Sequence, residues 1–109
     1  MKKGLKLYNI YLEKEEEVLF RIGNYDSNGN TYVQMIGADG EPYGDLTVNF
    51  ETLNDERKAY IDTNNNPGIL KFIEDNELGF WFGLEKQSNF CTYPLYYLDL
   101  EEIKKYVVE

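Results

Sequence analysis

The sequence predicts an α+β fold in which an antiparallel meander sheet of about five strands has two short helices packed on it. Three observations lead to this class. Apolar and polar residues alternate in several short segments, turn residues interrupt the chain at short intervals, and two segments of the second half have helical spacing. Because 109 residues can form one hydrophobic core, we expect a single domain over residues 1–109.

The first half of the chain predicts four strands joined by turns. The acidic run from Glu13 to Glu17 is expected to form a solvated turn between the first two strands. Asn28 and Gly29 favour the positive φ angles of a type I′ turn, so they indicate a hairpin between the second and third strands. The four predicted strands are Leu5–Leu12, Val18–Tyr25, Thr31–Ala38 and Leu46–Phe50.

The second half begins with a short strand and a helix. Ala59–Asp62 predicts the strand. Asn66 precedes Pro67, a pair that favours an Asn cap followed by Pro at the first helical position. An apolar face then follows at helical spacing, and Gly79 is expected to end this helix, which we call the Pro67 helix. The residues of that face are Ile69, Leu70, Phe72 and Ile73.

The last third predicts one more strand and a terminal helix. Phe80–Leu84 is an apolar run that suits either a strand or a buried loop. Cys91–Leu98 predicts a strand, and Pro94 should lie at an edge or a bulge because it lacks an N–H group. Asp99 and Glu102 resemble a capping box that opens the terminal helix. Its expected apolar face consists of Leu100, Ile103 and Val107.

The composition excludes most catalytic and metal-binding chemistries. The chain has no His, the commonest general base, and its single Cys91 permits no thiolate zinc site and is expected to be buried. Asp26 and Asp62 begin oxygen-rich segments, but both segments lack the Gly and Glu of a calcium-binding EF-hand loop. Paired carboxylates remain chemically possible, yet among 20 acids a close pair is expected by chance. We therefore expect no catalytic residue, no metal and no cofactor.

Charge gives the first indication of function. The chain has 20 Asp and Glu against 11 Lys and Arg, and the net charge of −9 is spread over both halves. Such a charge opposes direct binding to nucleic acid and to anionic membranes. No segment approaches the ~18 apolar residues of a membrane span, so we expect a soluble, cytoplasmic protein. The charge serves either solubility or docking onto a basic partner.

Two acidic clusters and a surplus of aromatic residues are candidates for a binding surface. Acids at the C-terminal end of the Pro67 helix oppose the helix dipole, a local cost that a basic partner would offset. A solvated surface is the alternative for each cluster. Tyr is enriched at interfaces, although strands also favour it. The candidate partner-binding residues are Glu13, Glu15, Glu16, Glu17, Glu74, Asp75, Glu77, Trp81, Tyr96 and Tyr97.

Two strings identify a resemblance. Ala59-Tyr60-Ile61-Asp62-Thr63-Asn64-Asn65 and Cys91-Thr92-Tyr93-Pro94-Leu95-Tyr96, with a weaker match at Glu41-Pro42-Tyr43-Gly44, resemble a small bacterial domain family of unknown function. That family is carried by conjugative elements, plasmids and phages. The resemblance spans residues 41–103 and carries no catalytic residues with it.

The genomic setting of that family implies a function. Small acidic proteins of phages and mobile elements are often counter-defence inhibitors, and this chain is similar in size and charge to type II-A anti-CRISPR proteins. The resemblance therefore implies an inhibitor that occludes the basic, nucleic-acid-binding groove of a host nuclease. Two alternatives remain: a protein that binds a signalling nucleotide between Tyr rings and the Asn64–Asn66 amides, and a structural accessory protein. The sequence leaves the oligomeric state open.

Overall fold

The computed structural model describes residues 3–108 and contains two antiparallel sheets of four strands each. In the first sheet the strands lie in chain order: β1 (Leu5–Asn9), β2 (Lys14–Asn24), β3 (Thr31–Gly37) and β4 (Pro42–Asp45). In the second sheet the spatial order is β5-β6-β8-β7. Its strands are β5 (Thr47–Val48), β6 (Lys58–Ile61), β7 (Gly79–Ser88) and β8 (Cys91–Leu98). The helices are α1 (Ile69–Asp75) and α2 (Leu100–Lys104).

The predicted α+β class is confirmed, but the prediction of one meander sheet of about five strands is wrong. The chain changes sheets at Leu46, whose N–H donates to Val33 in β3 and whose carbonyl accepts from Asp62 beyond β6, both at 2.9 Å. The predicted strand over residues 46–50 shrinks to Thr47–Val48, because the chain there turns from one sheet into the other. Buried Leu46 thus joins the two sheets.

The beginning of β2 corrects the predicted acidic turn. Glu13 lies in the turn, with φ of 53°, but residues 14–17 pair with β1 as part of β2. The first strand is correspondingly shorter than predicted and ends at Asn9. Asn9 caps the turn, because its side-chain oxygen accepts hydrogen bonds from the N–H groups of Tyr11 and Leu12.

The predicted hairpin between β2 and β3 is confirmed, although its connection is longer than a two-residue turn. Asn24 pairs with Thr31, and Gly29 has the positive φ, 77°. The type I′ geometry occurs in the other sheet instead, where Asn89 and Phe90 join β7 to β8 with φ of 50° and 68°.

Both helices differ in detail from their predictions. The α1 helix begins at Ile69 after left-handed Gly68, so the predicted Asn cap and Pro67 at the first helical position are wrong. The amide of Asn66 donates instead to the carbonyls of Asp45 and Asp62. For α2 the predicted cap is confirmed, since the Asp99 carboxylate accepts from the N–H of Glu102 at 3.0 Å.

The chain end completes the first sheet. The terminal helix stops at Lys104, so Val107 lies beyond it and not on its predicted apolar face. Val107 forms a parallel bridge with Phe20, and Phe20 exchanges hydrogen bonds with Tyr106 and Val108, each at 2.9 Å. The last residues therefore cover the edge of β2 beyond the end of β1.

One core lies between the sheets and the helices. It contains side chains of both sheets, such as Phe20, Met35 and Ile61, together with Ile73 of α1 and Ile103 of α2. Within residues 3–108, neither helix has the length and apolar character needed to cross a membrane.

Pro94 lies opposite a bulge, as predicted, but in an interior strand. Between Trp81 and Glu85 of β7 the pairing with β8 shifts register, and Glu85 pairs with Pro94. The β8 strand lies between β6 and β7, and its pairing with β6 ends at Leu95. The ladder to β6 thus stops just before the residue that lacks an N–H group.

Candidate functional site

An open cleft of about 530 Å³ lies where α1 leads into β7 and β8 leads into α2. The two connections lie side by side because the N–H of Asp99 donates to the carbonyl of Leu78 at 2.8 Å. Five acidic and two basic side chains contribute to the lining. These are Glu56, Glu74, Glu77, Asp99 and Glu101, with Arg57 and Lys104.

The acids come from three separate parts of the chain. Glu74 and Glu77 lie at the end of α1, Asp99 and Glu101 at the start of α2, and Glu56 just before β6. All five residues are exposed. The acids at the start of α2 interact favourably with the dipole of that helix. The acids at the end of α1 interact unfavourably with the dipole of α1. The cleft therefore collects negative charge that local helix stability explains only in part.

Glu77 occupies a backbone position that normally holds glycine. The α1 helix ends in a Schellman motif, in which Glu77 donates to the carbonyl of Glu74 at 3.2 Å and Leu78 donates to that of Ile73 at 2.9 Å. Glu77 has the left-handed φ of 57° that this motif requires. A side chain at that φ costs free energy relative to glycine, and so does an acid at a helix C-terminus.

Glu74 is fixed by a buried partner. The Tyr96 hydroxyl donates to the Glu74 carboxylate at 2.8 Å, and Tyr96 is only 2% exposed. Burial of the ring, together with the hydrogen bond and charge of Glu74, raises the pKa of Tyr96 to about 12. Tyr96 is thus part of the core, and its hydroxyl orients the carboxylate at the rim of the cleft.

A row of stacked aromatic side chains extends from the cleft along the second sheet. Phe80 stacks on Tyr97 with ring centroids 5.5 Å apart, and Phe82 stacks on the same ring at 6.3 Å. The Lys58 ammonium lies 4.2 Å from the centroid of Phe82. Because Phe80 and Tyr97 also line the cleft, carboxylates and aromatic rings share one surface.

Of the two alternatives for Phe80–Leu84, the strand is confirmed and the buried loop is not. The side chains of this strand are exposed: Phe80 is 61% exposed, Trp81 52% and Leu84 58%. Phe80 and Trp81 also line a second cavity of about 390 Å³ beside Leu70 and Glu74. Phe90, at the tip of the hairpin, is fully exposed. Neighbouring exposed apolar side chains such as Phe80, Trp81 and Leu84 mark interaction sites.

The structure brings together five of the ten candidate residues. Glu74, Glu77, Trp81, Tyr96 and Tyr97 line the two cavities that share Phe80. Asp75 points its carboxylate to Lys71, 2.8 Å away on the exposed surface of α1.

The acids from Glu13 to Glu17 lie in the first sheet and its turn, separate from the cleft. Within that run Glu16 is 3.8 Å from Lys14, and Glu17 is 3.6 Å from Lys6. Lysines therefore lie beside part of this cluster.

Sequence reasoning missed five residues of this surface. Asp99 and Glu101 belong to the predicted start of the terminal helix, and Glu56 had no distinguishing pattern. Phe80 and Phe82 belong to an apolar run for which a buried loop was one of two alternatives. The feature of the sequence that indicated this region was the group of acids at the C-terminal end of the Pro67 helix. The remaining residues become neighbours only through the tertiary fold.

Other candidate sites are occupied by structural hydrogen bonds. The amides of Asn65 and Asn66 donate to Asp62, and that of Asn66 also to the carbonyl of Asp45. Cys91 is half-buried, and its thiol donates to Asn64 at 3.3 Å. Within residues 3–108, no group of three or more acidic or Cys side chains has the geometry to hold a metal ion.

Comparisons with known proteins identify the family. A search of curated proteins finds no match, and a search of solved structures finds none either. A family model described as a domain of unknown function, DUF4313, matches residues 19–109, which include every residue of the cleft and of β7. This chain therefore belongs to the DUF4313 family of domains of unknown function.

Proposed function

We propose that this protein is a non-enzymatic interaction protein that docks its acidic surface onto a basic surface of another protein. One observation carries the proposal: the carboxylates of the cleft border the exposed aromatic side chains of β7. Buried aromatic anchors supply much of the binding energy of an interface, and complementary charge sets orientation and association rate. The surface around Phe80 has both components.

Charge pairing favours the cleft over the other acidic clusters. Among the ion pairs formed within residues 3–108, none involves Glu56, Glu77 or Glu101. By contrast, ion pairs with neighbouring lysines offset part of the charge of Glu16, Glu17 and Asp75. Within residues 3–108 the carboxylates of Glu56, Glu77 and Glu101 are therefore available to a basic partner, beside Arg57 and Lys104 of the same cleft. The run from Glu13 to Glu17 adds to long-range attraction but lies outside the proposed contact surface.

Local strain supports the same surface. Glu77, which lines the cleft, combines a left-handed φ with an acid at a helix C-terminus. Neither its side chain at that φ nor its charge stabilises the isolated chain. Strained residues with no role in folding are characteristic of functional sites.

For the partner, we propose a nuclease of a bacterial defence system, specifically a CRISPR nuclease of type II-A. The resemblance to a family carried by phages and conjugative elements supports this choice, as do the size and the charge of −9. Nucleases bind phosphates through grooves rich in Arg and Lys, which an acidic protein can occupy in place of nucleic acid. Inhibition would then be stoichiometric, would take place in the bacterial cytoplasm, and would need no direct contact with DNA.

A small-molecule binding protein is the second candidate, and one observation favours it. The cleft volume of about 530 Å³ lies within the range of ligand pockets. Its carboxylates suit a cationic ligand better than the signalling nucleotide, and the Asn65 and Asn66 amides already have partners. A structural accessory role would require self-assembly, which the charge of −9 opposes.

A pull-down with a salt gradient tests the proposal. The immobilised protein is incubated with a panel of purified defence nucleases, including one of type II-A, and bound protein is eluted with rising salt. We expect binding at 0.1 M salt and release toward 1 M, because the screening length falls from ~10 Å to ~3 Å. The bound nuclease should also lose DNA cleavage in proportion to the inhibitor added.

Two charge-matched variants locate the contact surface. The first combines Glu56→Gln, Glu77→Gln and Glu101→Gln, and we expect it to weaken binding about tenfold or more. The second combines Glu13→Gln, Glu15→Gln and Glu41→Gln, which changes net charge equally but alters the first sheet and its turns. If the two variants weaken nuclease binding equally, the acids of the cleft act only through the net charge of the protein and not through direct contact with the partner. Unchanged binding in both, or stabilisation by nucleotides in a thermal-shift screen, would contradict the proposed function.

A further inference from the structure

The β7 strand is an exposed edge of its sheet. It has ten residues and is an outer strand of its sheet, and the six residues from Phe80 to Glu85 are all exposed. Sheet edges are usually kept short, charged or covered, because a free edge pairs with other chains. The other outer strands, β1, β4 and β5, have five, four and two residues.

The start of β7 directs main-chain donors and acceptors outward. The N–H of Leu98 donates to Arg57 on the β6 side, at 2.6 Å, so Gly79 and Leu98 form a non-hydrogen-bonded pair. Such pairs alternate along an antiparallel ladder, so Trp81 and Tyr96 form the next one. The N–H and C=O groups of Gly79 and Trp81 therefore point away from β8, toward the open edge.

A bulge limits the length of this open edge. The register shift between Trp81 and Glu85 contains Gly83, whose φ is 99°. The indole N–H of Trp81 donates to the carbonyl of Leu84 at 3.0 Å and so spans the bulge. A guest strand could pair along Gly79–Trp81, while the bulge prevents open-ended growth of the sheet.

The charges around β7 indicate which kind of strand from another protein could pair with this edge. Phe80 lines the cleft that holds Glu56, Glu77 and Glu101. Trp81 lines the second cavity, whose walls are mostly apolar, with Leu70, Pro94 and Tyr96 beside the carboxylates of Glu74 and Glu85. Side chains of a guest strand alternate between these two surfaces, so cations suit one and apolar groups the other. A second copy of this chain would bring another net charge of −9 to the same edge, and repulsion disfavours it.

We propose that the edge of β7 binds an extended segment of a basic protein by strand addition, with Arg or Lys side chains of that segment in the cleft. Main-chain hydrogen bonds to Gly79 and Trp81 fix the register of the segment, and the carboxylates select its cationic side chains. This inference rests on the proposed function and specifies how the partner docks.

Synthetic peptides test the strand addition directly. The first probe is a ten-residue peptide of alternating Arg and Val. Two controls have the same sequence with every second amide N-methylated, one in each register, and a third has Glu in place of Arg. We expect the first probe to bind and to slow amide hydrogen exchange at Gly79 and Trp81. One N-methylated register should bind about tenfold more weakly, because it cannot form the ladder, and the Glu peptide should not bind.

A pair of variants isolates the main-chain donor at Trp81. Trp81→Val removes the indole but keeps the N–H, whereas Trp81→Pro removes both without affecting the pairing toward β8. We expect about tenfold weaker peptide binding in the Pro variant than in the Val variant. Should the Pro variant fail to fold, the N-methylated peptides on the parent protein decide the question.

The outcomes separate this inference from the proposed function. Equal binding of both N-methylated registers, or unchanged exchange at Gly79 and Trp81, would overturn strand addition. If the nuclease binds Trp81→Pro and Trp81→Val equally but not the Glu56, Glu77 and Glu101 variant, strand addition fails and the proposed function stands. If it binds all three variants normally, the proposed function fails. A dimer in sedimentation that Trp81→Pro abolishes would identify a second copy as the guest and overturn the inference.

Discussion

The hydroxyl of Tyr96 donates a 2.8 Å hydrogen bond to the carboxylate of Glu74, which ties a buried residue of β8 to an exposed acid of α1. The sequence placed both residues on a binding surface, but in the fold they are each other's partner. The bond holds the end of α1 against the sheet. One wall of the cleft is therefore fixed before any partner arrives, which lowers the entropic cost of binding.

Tyr96→Phe should lower the free energy of unfolding by about 1–2 kcal/mol, because it removes a hydrogen bond to a charged acceptor. Glu74→Gln should cost less, since the amide oxygen can still accept from the hydroxyl. Urea denaturation of both single variants and the double variant measures the coupling between the two residues. Additive effects in this cycle would show that the charge of Glu74 adds nothing to the hydrogen bond, and unchanged stability of Tyr96→Phe would show that the bond itself contributes nothing.

Three tyrosines should make the protein less stable above pH 10. Burial, followed by a hydrogen bond to a carboxylate, raises the pKa of Tyr32, Tyr60 and Tyr96 to about 12 each. Because these folded-state values exceed the unfolded value of 10.0, the unfolded chain releases the protons first as pH rises. The contribution of these three tyrosines to the free energy of unfolding is complete below about pH 10 and is lost between about pH 10 and 12.

Absorbance at 295 nm checks this pH dependence. Tyr32, Tyr60 and Tyr96 should ionise in a late phase toward pH 12, and Tyr96→Phe should remove one tyrosine from that phase. Urea midpoints at pH 8 and pH 11 should show the matching loss of stability. A single transition of all tyrosines near pH 10 in the folded protein would contradict the assignment.

Asp62 should be a structural acid. It is 7% exposed, and its carboxylate accepts from the N–H of Asn65 at 3.1 Å and from the Asn65 amide at 2.9 Å. Asp62→Ala should therefore cost about 1–3 kcal/mol, and Asp62→Asn less, because the amide oxygen can replace one acceptor. Asp26→Ala, at an exposed turn, is the control and should stay within about 0.5 kcal/mol. Thermal unfolding of the three variants measures the difference.

Segments with a local pattern were predicted well. The β3 and β8 strands have nearly their predicted bounds, and α2 has its predicted cap at Asp99. These features depend on alternation and on capping chemistry within a few residues. The division into two sheets depends instead on hydrogen bonds of Leu46 to residues far away in the chain, which periodicity does not encode.

The strings that carry the family resemblance are explained by the scaffold. Ile61 and Tyr96 belong to the core, and Asp62 with Asn65 locks the loop after β6. The candidate site was harder to predict, since its acids come from three parts of the chain. The sequence also cannot distinguish an apolar run that packs in a core from one that is exposed to solvent, as Phe80–Leu84 is here.

Phe90→Gly should stabilise the hairpin between β7 and β8. Phe90 has φ of 68° and is fully exposed, so its ring gains little from packing while its backbone is strained. Glycine gives an Asn-Gly type I′ turn and should raise the free energy of unfolding by about 0.5–1 kcal/mol. Urea denaturation measures this change, and Asn89→Gly is the matched control at the same turn. Loss of stability in Phe90→Gly would show that the ring packs in the folded protein.

Glu77→Gly should separate stability from binding. The left-handed φ of 57° and the position after α1 both favour glycine, so the variant should raise the free energy of unfolding by about 1 kcal/mol. The same change removes a carboxylate from the cleft and should weaken nuclease binding in the salt-gradient assay. Glu77→Gln retains the strain but not the charge, so it should weaken binding equally while gaining only the smaller stability that comes from removing an acid at a helix C-terminus. If Glu77→Gly binds as well as the parent protein, the strained acid serves no partner, and its place at the rim of the cleft requires another explanation.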